Sequence, residues 1–154
     1  MRKAFRWLEK ATAYLDGLKP PVAHAFDLGH GLVFEALFQP NIRFFLARLN
    51  GVAIGCGGIG LFDDYAEVKR MYVRQTARGS GVAQALLARI EMEARIAGFV
   101  VLRLETGERQ AAALRFYAQA GFRICTAFGD YAAMRPEAIA TSTFMEKRLA
   151  TQIP

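Results

Sequence analysis

Two cysteines and two histidines are all that this chain of 154 residues offers for metal or redox chemistry. Cys56 and Cys125 form neither a disulfide framework nor a metal-ligand spacing, and His24 and His30 lie far from both. No metal site is expected, and both cysteines read as small buried apolar residues. Long apolar runs are also missing. No stretch approaches the roughly 18 residues of a spanning helix, so no membrane partner is expected. The opening MRKAFRWLEK is basic, but charge breaks it before an apolar run develops, so no secretory signal is expected there. A cytoplasmic protein is expected. The net charge is +6, yet no four Lys or Arg stand in a row. That pattern reads as a basic surface rather than a specific nucleic-acid footprint. Internal repeats are absent too. What remains is a chain that is 53% hydrophobic with 12 Phe, enough for the core of one domain over residues 1–154.

Periodicity gives the elements. Residues 2–16 place Phe5, Leu8, Ala11, Thr12 and Leu15 at helical steps, and Lys19-Pro20-Pro21 stops that helix. Residues 32–38 read as a helical turn before Pro40. A strand is predicted over 42–49, then the hairpin dipeptide Asn50-Gly51, then a return strand over 52–62. Gly55, Gly57, Gly58 and Gly60 in the return strand point to a bulge or the close approach of another group. A third strand is predicted over 66–73 and a helix over 81–97, ended by Gly98. An apolar strand over 99–104 is expected to be buried on both faces. A helix follows over 109–120, capped by Gly121, then a strand over 122–127, a loop over 128–141 and a last strand over 142–149. The order is that of a mixed α/β domain, with crossover helices joining parallel strands in the middle.

The richest segment is 66–83, AEVKRMYVRQTARGSGVA. A strand enters a basic turn, and the turn opens onto a helix. Bare N–H groups and the partial positive charge of a helix N-terminus make a cradle for phosphate. A dinucleotide fold is one candidate, with Glu105 as the ribose acid. It fails on three counts. Position 84 is Gln where a third glycine is needed. Glu67, Lys69 and Arg70 interrupt the strand. Residues 74–78 separate the strand from the glycines.

Arg78-Gly79-Ser80-Gly81-Val82-Ala83 resembles the Arg/Gln-x-x-Gly-x-Gly/Ala signature of the GNAT superfamily of acyl-CoA N-acyltransferases. Residues 67–73 look like its central strand, Leu102–Gly107 with Gln110–Gly121 like its second conserved block, and Phe144–Leu149 like its closing strand. The resemblance covers most of residues 42–150. It implies a mixed, mostly antiparallel sheet with a parallel splayed pair in the middle, flanked by helices. It also implies an N-acetyltransferase with acetyl-CoA as cosubstrate. Residues 78–83 would cradle the pyrophosphate. Met71, Tyr72 and Val73 would form the free edge beside the pantetheine, with N–H groups near Met71 and Tyr72 polarising the thioester carbonyl. Gln110, where relatives often carry Asn, would bond a pantetheine amide.

The same resemblance assigns chemistry. Glu67 matches a general-base position, with Glu105 or a water chain as alternatives. By strand alternation Glu67 shares a face with Lys69, Met71 and Val73. Tyr117 matches the family's tyrosine acid beside the coenzyme sulfur. The sequence departs from the pattern at Gln75, where many relatives have Pro, and at the start, where a helix stands in place of the usual first strand. For the acceptor, Arg70 and Tyr131 are the candidate lining groups, together with Tyr65 and Tyr72. The loop Phe128-Gly129-Asp130-Tyr131 stands at a lid position. Positive charge favours an acidic or zwitterionic small amine over a Lys-rich peptide. A peptide acetyltransferase and a non-catalytic coenzyme A sensor remain as alternatives. A homodimer through the last strands, around Phe144, is expected from the family.

Overall fold

The computed structural model describes residues 39–150; the predicted helix over 2–16 and the turn over 32–38 lie outside them. Six strands form one sheet in the order β1-β2-β3-β4-β6-β5. These are β1 (Ile42–Leu49), β2 (Val52–Leu61), β3 (Ala66–Val73), β4 (Val101–Gly107), β5 (Arg123–Ile124) and β6 (Ser142–Arg148). The helices are α1 (Val82–Ile96), α2 (Ala111–Gln119) and a single turn, α3 (Gly129–Ala132). Every neighbouring pair is antiparallel except β3 and β4.

Local chemistry accounts for most of this. Asn50 and Gly51 both have positive φ, 49° and 81°, which suits the tight turn between β1 and β2. Helix α1 buries Leu86, Leu87, Ile90 and Ala94 along one stripe, and Gly98 ends it with φ 85°. Gly55 and Gly57 of β2 are explained by α1 lying directly on the sheet, whereas a Cβ at Gly58 would meet Phe44 and one at Gly60 would meet Phe62 and Ile42. A Cβ at Gly57 would meet Met71 Sδ at 2.6 Å and Ile90 Cδ1 at 3.2 Å; at Gly55 it would meet Val82 and Leu86. Glu93 of α1 accepts from Arg43 of β1 and from Arg89, each at 2.6 Å, pinning the helix to the outer strand.

The sheet has two unlike faces. On one, Val68, Leu87, Ile90, Leu102, Leu104, Tyr117, Phe122 and Met145 build the main core under α1 and α2. On the other, Tyr65, Phe128 and Phe144 form a smaller aromatic cluster that includes Tyr131 at its edge. Adjacent residues of one strand, Phe144 and Met145, divide between the two, as strand alternation requires.

Four sequence expectations change. The strand predicted over 99–104 begins at Val101 and runs to Gly107, and its burial alternates rather than being complete. Arg103 and Glu105 face the side of the aromatic cluster, where Arg103 lies over the rings of Tyr65 and Phe128. The strand predicted over 122–127 contracts to Arg123–Ile124, because it pairs only with β6 at the sheet edge. It therefore does not lie beside β4; only α1 joins adjacent parallel strands. Phe144 is 7% exposed within the aromatic cluster, so it offers no surface to a second copy; Ile124 on β5, 77% exposed, is the apolar side chain at that edge. Among the described residues no helix is long and apolar enough to cross a membrane.

Candidate active site

Strands β3 and β4 pair only at Ala66↔Leu102 and Glu67↔Arg103. Beyond that level they part. β3 stays with β2 up to Gly55↔Val73, and β4 stays with β6 along its whole length. The β4-facing edge of residues 68–73 is therefore left without a strand partner, and this segment contains Met71, Tyr72 and Val73.

A bulge lies in the same segment. Between the pairs Cys56↔Tyr72 and Gly58↔Lys69, β2 supplies Gly57 while β3 supplies both Arg70 and Met71. Arg70 takes φ 55° there. The extra residue reverses the alternation. Met71 packs into the core against Ile90, away from Glu67. The expectation that Glu67, Lys69, Met71 and Val73 share one face is corrected by this bulge, which strand periodicity cannot anticipate.

Glu67 sits where the strands part, on the face of the aromatic cluster. It is 2% exposed. Lys69 Nζ stands 2.7 Å from its Oε1, and the Tyr131 hydroxyl donates to the same oxygen at 3.1 Å. Burial pushes the Glu67 carboxyl above its ordinary value, while Lys69 and the hydrogen bond from Tyr131 pull the other way. Lys69 is held in turn over the rings of Phe62 and Tyr131, 5.8 Å from each centroid. Burial and the nearby Glu67 push the Tyr131 hydroxyl up, so it is a donor at neutral pH. Glu105 lies on the same face, but Ser142 Oγ donates to it at 2.6 Å.

Tyr117 belongs to α2 and the opposite face. It is 6% exposed, edge-on to Phe116 and Phe122. Burial alone pushes its hydroxyl up. That hydroxyl makes no hydrogen bond among the described residues, an uncommon state for a buried tyrosine. Glu67 and Tyr117 are thus on opposite sides of the sheet, and the gap between β3 and β4 is the passage between them. Gln110 caps α2 near the wide end of that gap, beside Gly107.

The turn from β3 to α1 forms the remaining wall. Gly79 and Gly81 have φ 79° and 86°, and a Cβ at either would meet nothing within 4 Å. No side chain caps α1. The N–H groups of residues 79–83 have no backbone acceptor among the described residues. Arg78 Nε donates to Val73 O at 3.2 Å and Ser80 Oγ to Ala77 O at 2.5 Å, so the turn is braced by its own side chains. Val82 and Ala83 open the helix behind it. The result is an open, positive concavity suited to a phosphate.

The sequence motifs located Glu67, Tyr117 and the turn. They did not reveal the tie from Ser142 to Glu105, or Arg103 lying over the rings of Tyr65 and Phe128. Those contacts join residues far apart in the chain. The density of aromatics in 128–131 was the one available signal.

A parallel pair that opens beside a glycine turn suits an extended, phosphate-bearing ligand, and comparison with known proteins makes the class specific. The model of the acetyltransferase (GNAT) family matches residues 3–122. The chain is 42% identical over 144 residues to the IAA acetyltransferase of Azospirillum brasilense, a match covering 92% of this chain and 88% of the relative. A GNAT family acetyltransferase from Staphylococcus aureus Mu50 shares the fold with TM-score 0.68 at 18% identity, covering 97% of this chain and 92% of that one. The GNAT family acetyltransferase of Elizabethkingia anophelis, solved with acetyl-CoA bound, does so with TM-score 0.60 at 22% identity, covering 71% and 77%. The chain belongs to the acetyltransferase (GNAT) family. Its activity is acyl-CoA-dependent acetyl transfer.

Proposed function

We propose that this enzyme moves the acetyl group of acetyl-CoA directly onto a primary amine of a small molecule. The observation that carries this reading is the buried Glu67 carboxylate at the point where β3 and β4 part. An ammonium is no nucleophile, so a base must take its proton. Glu67 does this directly or through one water. Among the described residues both of its side-chain contacts fall on Oε1, which leaves Oε2 for the incoming amine. Glu105 is the weaker candidate, since Ser142 already engages it.

The remaining steps follow from placement. The pantetheine arm lies along the unpaired edge of Met71–Val73, and a backbone N–H near Met71 or Tyr72 polarises the thioester carbonyl. The amine nitrogen bonds to the carbonyl carbon, and the C–S bond then breaks. The thiolate takes a proton from the Tyr117 hydroxyl, whose burial keeps it protonated until that moment. Residues 78–83 hold the pyrophosphate, and Gln110 bonds the arm.

The test is thiol release from acetyl-CoA over a panel of amines, with Glu67→Gln and Tyr117→Phe beside the parent. The expected result is amine-dependent release that falls in both variants while coenzyme A binding persists. Parent-like turnover in both variants would remove the catalytic assignment. Binding without release on any amine would favour a coenzyme A sensor.

A further inference from the structure

We infer that the acceptor carries an anionic oxyacid group, a carboxylate or phosphonate, together with its amine, and that Arg70 binds that group. This rests on the proposed acceptor side at Glu67 and names its substrate class. The partners of the buried and half-buried cations point to it. Lys69 pairs with Glu67, Arg95 and Lys147 with Glu91, and Arg103 with Glu146. Arg74 donates to Ala53 O. Arg70 is half-buried like these, yet no carboxylate or carbonyl engages its guanidinium among the described residues.

Its placement is as unusual as its lack of a partner among the described residues. Arg70 occupies the bulge of β3 with φ 55°, a conformation that a side chain bearing a Cβ adopts at a cost. The bulge lies three residues past Glu67, on the stretch of β3 that has left β4. The carboxylates near enough to act on the guanidinium are Glu105 and Glu67, both on the acceptor face. Both carboxylates are already engaged, Glu67 by Lys69 and Tyr131 and Glu105 by Ser142. A half-buried guanidinium with its fork open is a bidentate receptor for an oxyanion. Beside it, Glu67 and Glu105 favour an ammonium. The two signs side by side describe a zwitterion: the amine at Glu67, the oxyanion at Arg70.

The experiment uses the full chain and three matched acceptors: an amino acid, its amide, and its phosphonate analogue. Turnover with acetyl-CoA and calorimetric binding in the presence of coenzyme A are measured on each. The parent is expected to prefer an anionic acceptor over the amide by roughly 10- to 100-fold in kcat/KM, mostly through KM, the scale of a charge-assisted pair. The better of the two acids identifies the oxyanion. In Arg70→Asn, whose short side chain tolerates the left-handed backbone, the preference falls to within about threefold of unity. Arg70→Lys keeps part of it. Turnover of acid and amide at equal efficiency by the parent overturns the inference while leaving amine acetylation intact. An unchanged preference in a folded Arg70→Asn overturns it as well. Charge-dependent binding that Arg70→Asn abolishes, without turnover, upholds it and removes the acetylation reading instead.

Discussion

As the proposed base, Glu67 carries two demands that pull against each other. It would have to be buried to meet the thioester out of water, and ionised to take a proton. Burial raises its pKa, and Lys69 is the contact that restrains the rise. Activity should therefore climb with pH along a limb set by this group. Lys69→Met removes the restraint, so the limb should move to higher pH in a kcat/KM profile; a limb that stays put would mean Lys69 has no part in setting the base. Stability runs the other way. A folded pKa raised above the unfolded one gives stability that is full below the unfolded value and lost as pH rises through the folded one. Glu67→Gln should flatten that decline in denaturant titrations across the same window, while kcat/KM falls by about 10²-fold or more. Tyr117→Phe deletes an oxygen with no hydrogen-bond partner among the described residues. It should leave the melting temperature within a few degrees of the parent while kcat drops by about 10²-fold, read by single-turnover thiol release.

At the scale of elements, α1 links binding to packing. Its N-terminus closes the phosphate turn, and its buried stripe fixes that turn against β2. Ile90 is fully buried above Gly57. Ile90→Ala should cost about 2–5 kcal/mol in urea denaturation. Gly81→Val, by contrast, opposes φ 86° at the mouth of the cradle and should raise the KM for acetyl-CoA more than it lowers stability. The contrast also marks what was legible in the sequence. The stripe Val82, Leu86, Ile90 and the turn dipeptide Asn50-Gly51 announce themselves, because helix period and hairpin chemistry are local. The ends of α1 fell within a residue of prediction for the same reason. The bulge at Arg70 was not legible, since it depends on a register mismatch with β2 that no single strand displays. Nor was the shortness of β5, which is set by the partner it lacks. Glu67 and Tyr117 were found by motif, but their separation onto opposite faces needed the sheet order.

The whole molecule works as a partition. The two long helices, α1 and α2, cover one face, and the proposed acceptor groups occupy the other. On the proposed reading donor and acceptor reach the reacting atoms from different sides, neither blocks the other's exit, and both must be present at once. Initial-rate plots should intersect, and no acetylated enzyme should accumulate in the absence of an amine, as mass spectrometry would show. The parting of β3 and β4 has a further consequence. The β4-facing edge of residues 68–73 is left without a strand partner among the described residues, and on the proposed reading the pantetheine supplies it. Coenzyme A would then be a part of the secondary structure as well as a reactant. Amide exchange over residues 68–73 should slow on loading, and the two halves of the sheet should stiffen into one body only while the donor is bound.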